Sequence, residues 1–470
     1  SKGWDYMFED FRKVIVVLGI ILFLTLVLVP TPEGLTRAGQ NSFAVFILCL
    51  TLWISNVIPL SITSLLGIAL IPLLGVLGLE QTFALFGNKA IFFILGALIL
   101  AAGIYQTGLG SRISFALLQY FGQGPKRLLV SILFTSAFLS CIMPEHAVAA
   151  LLFPIILEIA TSLELEPLQS NYGKLLFLVM AWGAIAGGIT TFLGGARNLL
   201  AVGLLEKNYA GLSIGFFEWI KYSWMIPAII LTVIYFMITK YFEIDIESIS
   251  AAHQKLAKEM KEKGSISDEE KRLAVVLVLV VLSWLLLSKW IDIAIISVLG
   301  AVASFVVGVV EWQDIEDYIN WGVILMYGGA IVVATSLVKT GATEWLSQAV
   351  FANLDLSPRL FLGFLAIFTM MLTEGVSNVA AVAIVLPLAY SIGDIYGINP
   401  IIITLSVALP GGLAFTLPMG SPPNAIAFSS GFYRVKDVVK YGLFLMFISW
   451  LAYLIVSNFY WPLLGLEIMS

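Results

Sequence analysis

Long apolar runs separated by short polar breaks set the pattern of this chain. Val14–Val29 is stopped by Pro30-Thr31-Pro32, Phe43–Ile58 and Ile62–Leu77 flank Pro59, and Ile91–Tyr105 follows. Leu128–Ser162 is interrupted by Met143-Pro144-Glu145-His146, and Leu175–Thr191 runs into Gly194-Gly195-Ala196-Arg197-Asn198. Phe217–Tyr241 closes the first half. After a polar stretch at 243–270 come Leu273–Leu287, Ile293–Val310 and Trp321–Val338. Leu360–Ile392 is interrupted by Thr373-Glu374-Gly375-Val376-Ser377-Asn378, Ile401–Leu417 meets Met419-Gly420-Ser421-Pro422-Pro423-Asn424, and Tyr441–Leu464 is last. A membrane span needs roughly 20 apolar residues, fewer where it is broken or re-entrant. Because the runs do not alternate residue by residue, a transmembrane β-barrel is excluded. The pattern predicts an all-α polytopic membrane protein of about 11 transmembrane helices. Arg12-Lys13 precede the first run like a signal peptide, but no small-residue cleavage site follows, so it reads as a retained helix.

The second half repeats the first. Thr107-Gly108 and Pro154 recur as Thr340-Gly341 and Pro387, a displacement of 233. At that displacement Pro144, Glu145 and His146 fall on Ser377, Asn378 and Val379. Beyond the loop at 161–173 the displacement becomes 226, and Gly194 and Asn198 fall on Gly420 and Asn424. The implied units are an N-terminal extra helix (1–34), repeat one (35–242), a cytoplasmic linker (243–270) and repeat two (271–470). Each repeat has five spans plus one broken run read as a re-entrant hairpin. An odd number inverts the second repeat relative to the first.

Composition narrows the class. Sixty per cent of residues are hydrophobic, mean hydropathy is +0.99, and 12% are charged, against roughly 25% in soluble domains. Net charge is −5 without a large basic block, which disfavours nucleic acid as a partner. With the N-terminus inside, inner segments carry seventeen Lys and Arg and outer segments seven, so the expected orientation is N-terminus cytoplasmic and C-terminus outside. Cys49 and Cys141 lie in apolar runs without metal-site spacing, and His253 falls in the polar linker and reads as solvated.

Non-helical backbone at membrane depth is tolerated only where protein buries it or it lines a cavity. Four such breaks, in two matched pairs, point to a transport site whose half-helix N-termini attract anions. Ser421 is placed to cap its half-helix, and Pro422 suits the first turn because it has no N–H.

At these breaks the sequence resembles the divalent-anion/sodium symporters, the DASS or INDY-like transporters. Ser377-Asn378 at a hairpin tip, followed by Gly420-Ser421-Pro422-Pro423-Asn424-Ala425, carries the resemblance, which covers most of the chain. It implies a scaffold plus an elevator-type transport domain, a homodimer, and Ser-Asn-Thr tips that bind a substrate carboxylate and sodium with the neighbouring broken helix. The chain departs from that pattern at Ser377-Asn378-Val379, at Pro144-Glu145-His146, and at Arg197, which stands where repeat two has Pro423.

An arginine at the bilayer centre costs at least about 2.5–3.5 kcal/mol unless paired or hydrated. Arg197 is therefore expected to supply the charge of the first sodium ion, held bidentately by Glu145, with His146 as a donor to substrate or a titrating group. The resemblance implies a divalent anion, and two separated polar tips suit a C4–C5 dicarboxylate such as succinate, malate, fumarate or 2-oxoglutarate. The substrate set is Pro144, Glu145, His146, Gly195, Asn198, Ser377, Asn378, Val379, Gly420, Ser421, Pro422 and Asn424. Glu374 and Glu158 have open roles. No metal-ligand spacing, nucleophile elbow or phosphate loop is present, so neither an enzyme nor a cofactor is expected. A hydrolase using Ser377 and a channel are the other classes. A fixed Arg197 charge in the empty site opposes its return through the membrane, so obligatory, sodium-independent exchange of one dicarboxylate for another is the expected mode. If Glu145 neutralises Arg197 fully, proton coupling through His146 or Glu374 is the next alternative and sodium symport the one after.

Overall fold

The computed structural model describes residues 2–469 except 56, 88, 122–123, 288–289, 317–318, 320 and 352–356. It is 77% helical, with no strands among the described residues. The chain opens with α1 (Lys2–Leu28), α2 (Arg37–Ser55), α3 (Leu60–Leu73) and the short α4 (Leu79–Phe86). Then come α5 (Lys89–Gln106) and α6 (Leu109–Phe121), a hairpin of α7 (Pro125–Leu139) and α8 (Glu145–Ser162), and a broken helix of α9 (Asn171–Gly187) and α10 (Ala196–Asn208). α11 (Phe216–Ser223) and α12 (Met225–Phe236) precede the linker helix α13 (Ser250–Lys263). The second half holds α14 (Asp268–Leu287), α15 (Ile293–Val306), α16 (Trp312–Glu316), α17 (Trp321–Lys339) and α18 (Ala342–Phe351). Its hairpin is α19 (Pro358–Gly375) and α20 (Asn378–Ile395), its broken helix α21 (Pro400–Ala408) and α22 (Pro422–Ser429), and α23 (Val435–Ile455) and α24 (Trp461–Leu463) close the chain.

The displacement read from the sequence reappears in helix starts. α3 and α15, α6 and α18, α7 and α19, and α8 and α20 each begin 233 residues apart, and α10 and α22 begin 226 apart. Between α5 and α6, and again between α17 and α18, the chain turns on a glycine in the left-handed region, Gly108 (φ +75°) and Gly341 (φ +71°), where a side chain is strained.

Among the described residues, five helices are long and apolar enough to cross a membrane alone, and α11 with α12 makes a sixth span bent by 43°. Two further apolar helices, Leu60–Leu73 and Pro400–Gly412, are shorter: Pro72 and Gly75 end the first, and Pro410-Gly411-Gly412 ends the second. The two halves interlock: α3 packs along α17 and α5 along α15. A Cβ on Gly96 would lie 2.6 Å from Ser297 Oγ, and one on Gly329 2.3 Å from Ser64 Cβ, the same close crossing once per repeat. Each second half-helix also crosses to the other repeat, α10 against α20 and α21, α22 against α8 and α9. That crossing brings the hairpin tips and breaks of both repeats into one buried region.

The polar linker is docked. α13 packs on α6 and α8, and His253 Nε2 lies 3.3 Å from the Gln119 carbonyl oxygen, so this histidine is half-buried against a helix instead of fully solvated. Glu158 pairs with Lys255 of α13 at 2.6 Å on the surface of the hairpin's second arm.

Candidate functional site

The site is built from helix starts. Pro144 precedes Glu145, the first residue of α8; Gly195 precedes α10, whose second residue is Arg197; and Ser377 precedes Asn378, the first residue of α20. Proline fixes φ at Pro144, and the Ser377 oxygen accepts from the Ala380 N–H at 3.2 Å, so both hairpin tips turn sharply into their second arms. In repeat one the Glu145 N–H donates to the Gly194 carbonyl at 3.0 Å, tying tip to break directly.

Glu145 and Arg197 form a buried bidentate pair. Arg197 Nη1 donates to Oε1 at 3.0 Å and Nη2 to Oε2 at 3.2 Å, with the residues 4% and 1% exposed. Asn378 Nδ2, from the other repeat, donates to Glu145 Oε1 at 3.1 Å. Thr373 Oγ1 lies 2.6 Å from Asn378 Oδ1 and 3.1 Å from the Gly411 carbonyl oxygen, extending the network into the second break. The pair occupies space left by glycines. A Cβ on Gly412 would lie 2.2 Å from Arg197 Nε, one on Gly195 2.5 Å from Nη1, and one on Gly188 2.5 Å from Glu145 Oε2. Arg197 Nε is buried and has no hydrogen-bond partner among the described residues. Glu145 at a helix N-terminus is favoured by the macrodipole and Arg197 is not, so the carboxylate offsets both the cation's burial and its unfavourable helix position.

The asparagines act inside their breaks. Asn198 Nδ2 donates to the Gly188 and Thr191 carbonyls at 3.0 and 2.8 Å; Asn424 Nδ2 donates to those of Ala414 and Leu417 at 2.9 and 3.3 Å. These bonds are equivalent at the displacement of 226, and they commit both amide nitrogens to backbone. Ser421 accepts from the Asn424 N–H at 3.4 Å, with Pro422 in the first turn of α22, as its cap sequence predicts. His146 and Val379 follow the two tips, each partly exposed, and no hydrogen bond from the His146 ring is present among the described residues. Gly420 leaves space beside Glu374, where a Cβ would lie 2.8 Å from Oε2.

The structure thus joins Glu145, Arg197 and Asn378, and sets Asn198, Asn424 and Ser421 to holding backbone. Sequence reasoning missed Thr373 and Gly412. A threonine four residues before Ser377, and the Gly411-Gly412 pair after Pro410, were the available signals. Among the described residues no three His, Cys, Asp or Glu side chains converge as a metal site.

The profile of the family described as "Sodium:sulfate symporter transmembrane region" matches residues 11–467. A sodium-dependent dicarboxylate transporter, SdcS, of Staphylococcus saprophyticus is 26% identical over 484 residues, spanning 96% of this chain and 92% of the relative. SdcS of Staphylococcus aureus strain USA300 is 27% identical over 481 residues with the same coverage. Two solved structures share the fold at low identity. MtrF of Neisseria gonorrhoeae, described within a class of antimetabolite efflux pumps, has a TM-score of 0.55, 13% identity and 94% coverage of each chain. The Alcanivorax borkumensis YdaH transporter has a TM-score of 0.55 and 14% identity, covering 82% of this chain and 90% of its own.

Proposed function

The chain belongs to the sodium:sulfate symporter family, and from that membership we propose that it carries C4–C5 dicarboxylates such as succinate, malate, fumarate or 2-oxoglutarate. It is a multi-pass membrane transporter of anions and not an enzyme. The observation that supports the substrate reading best is the Glu145–Arg197–Asn378 network, which joins the hairpin tips of both repeats where the two breaks cross. Beside it the Ser377 hydroxyl, which accepts from the Ala380 N–H, and the His146 ring, which has no bond among the described residues, offer donors for two carboxylates.

Coupling depends on the charge of the pair. Glu145 meets Arg197 with both oxygens, and a site that keeps this pair when substrate leaves would carry no uncovered guanidinium, so its return would not be opposed by the several kcal/mol cost of a buried unpaired ion. This supports cation-coupled symport, with the cation in repeat two, where Ser377 and Asn378 persist; the staphylococcal relatives are named as sodium-dependent. Obligatory sodium-independent exchange is the second reading. It is favoured by Arg197 standing where repeat two has Pro423, and it requires Glu145 to be protonated in the empty site so that the guanidinium is uncovered. We further read the units 1–34, 35–242, 243–270 and 271–470 as extra helix, repeat one, linker and repeat two. In this reading the protein is a homodimer that works by an elevator motion, with the N-terminus inside and the C-terminus outside.

Proteoliposomes loaded with succinate or with buffer, assayed for labelled succinate uptake in sodium or choline, test both readings. Sodium-driven uptake into buffer-loaded vesicles supports symport. Uptake only into succinate-loaded vesicles, unchanged in choline, supports exchange. Failure of unlabelled succinate to compete, with competition by sulfate or citrate instead, removes the dicarboxylate assignment.

A further inference from the structure

Glu374 lies in the last turn of α19, before the second hairpin tip, and is 8% exposed. Its carboxylate meets three consecutive backbone N–H groups in the repeat-two break: Oε1 accepts from Phe415 and Thr416 at 2.9 Å each, and Oε2 from Leu417 at 2.8 Å. Successive N–H groups turned toward one point form a nest for an anion, and at hydrocarbon depth every such group must be satisfied within the protein. On the carbonyl side of the same segment Asn424 takes Ala414 and Leu417, so the break is gripped through both its donors and its acceptors. Gly420 makes room: a Cβ there would also lie 3.2 Å from the Glu374 Cα.

Repeat one shows what this device replaces. At the displacement of 233 Glu374 falls on Cys141, which has no carboxylate. There the break is tied to the hairpin by Thr191 Oγ1, which donates to the Cys141 carbonyl at 2.8 Å and accepts from the Leu193 N–H at 3.2 Å. The asparagine staple is common to both repeats; the buried carboxylate in an amide nest belongs to repeat two.

We propose that Glu374 is the positioning residue of the second half-site: its carboxylate is a built-in anion that fills the amide nest of the repeat-two break, fixes that break to the hairpin tip, and keeps substrate carboxylates out of the nest. The substrate carboxylate at this end is left to the Ser377 hydroxyl and the second Asn378 amide hydrogen, three and four residues beyond Glu374. The inference rests on the transport reading for its functional half and on the hydrogen bonds alone for its structural half.

The test uses purified Glu374→Ala and Glu374→Gln proteins beside wild type. Thermal unfolding and labelled succinate uptake are measured with choline formate or choline chloride on both sides of the membrane. Glutamine keeps the shape but offers an amide donor to donors; alanine empties the nest. Both variants are expected to unfold at lower temperature and to transport at least about tenfold more slowly, with less than about a threefold change in KM. Formate, a small carboxylate, is expected to raise the unfolding temperature of Glu374→Ala and restore its uptake severalfold, with no such effect on wild type. A Glu374→Gln protein with wild-type stability and uptake overturns the proposal, and so does a folded Glu374→Ala protein that formate does not stabilise. If Glu374→Ala does not fold, the glutamine variant decides. If wild type takes up no succinate, the transport reading fails, while formate-dependent unfolding still decides whether the nest holds an anion.

Discussion

Glu145 and Arg197 form an ion pair whose partners have nowhere else to go. Removing one leaves the other buried and unpaired, which costs about 3–5 kcal/mol, whereas replacing both with apolar side chains of similar volume is often neutral. Glu145→Ala is therefore expected to lower the unfolding temperature markedly. The double variant Glu145→Met with Arg197→Met should recover most of that loss while succinate transport stays abolished, as thermal unfolding and uptake measured in parallel will show. Gly412 is tested separately. Glycine there makes room for the guanidinium, since a Cβ would lie 2.2 Å from Arg197 Nε. Gly412→Ala should destabilise by about 1–3 kcal/mol through overpacking, read from denaturation midpoints, and should cost less in an Arg197→Met background.

Hairpins, breaks and linker each have their own fasteners. Asn198 and Asn424 hold equivalent carbonyls, so Asn198→Ala and Asn424→Ala should cost similar amounts, about 1–3 kcal/mol each, for carbonyls left unpaired at membrane depth. Arg112 fastens α6 to the linker: Nε donates to Glu270 Oε1 at 2.9 Å, Nη2 lies 2.9 Å from Oε2, and Nη1 donates to the Gly264 carbonyl at 2.8 Å. Burial pushes the Glu270 carboxyl up, but the bonds from Arg112 and the Ser267 N–H, with Lys263 nearby, outweigh it and hold it below the ordinary value. A folded-state pKa lowered in this way contributes stability that is present above the ordinary carboxylate value and lost as pH falls through the lowered one. Proteolysis of 243–270 is thus expected to be slow near neutral pH and to accelerate in acid, and Arg112→Ala should make it fast and nearly independent of pH.

At the scale of the whole molecule the inverted halves make a directional statement. Lys126 and Arg359, one residue into equivalent hairpins, are both exposed, and the proposed inverted topology puts them on opposite faces of the membrane. With Cys49 and Cys141 replaced by serine, Lys126→Cys should label only from the inner side and Arg359→Cys only from the outer side with an impermeant thiol reagent. Labelling of both from one side would refute the inverted arrangement. The crossing of α10 onto α20 and of α22 onto α8 also buries the second half-helix of each repeat against the hairpin of the other.

The spans, the four breaks, the displacement of 233 and the pairing expected between Glu145 and Arg197 were all legible in the order of residues. Each is local or counts along the chain: apolar runs partition into lipid, proline and glycine stop helices where they stand, and a buried arginine demands a carboxylate. Which groups share hydrogen bonds was decided by the tertiary structure. Asn378 reaches Glu145 of the other repeat, Asn198 and Asn424 turn to backbone, and Glu374 leaves its own helix for three amides 41 to 43 residues away. Sequence displays the donors and acceptors. In a core without water each must find a partner inside the protein, and only the packed helices determine which one lies within 3 Å.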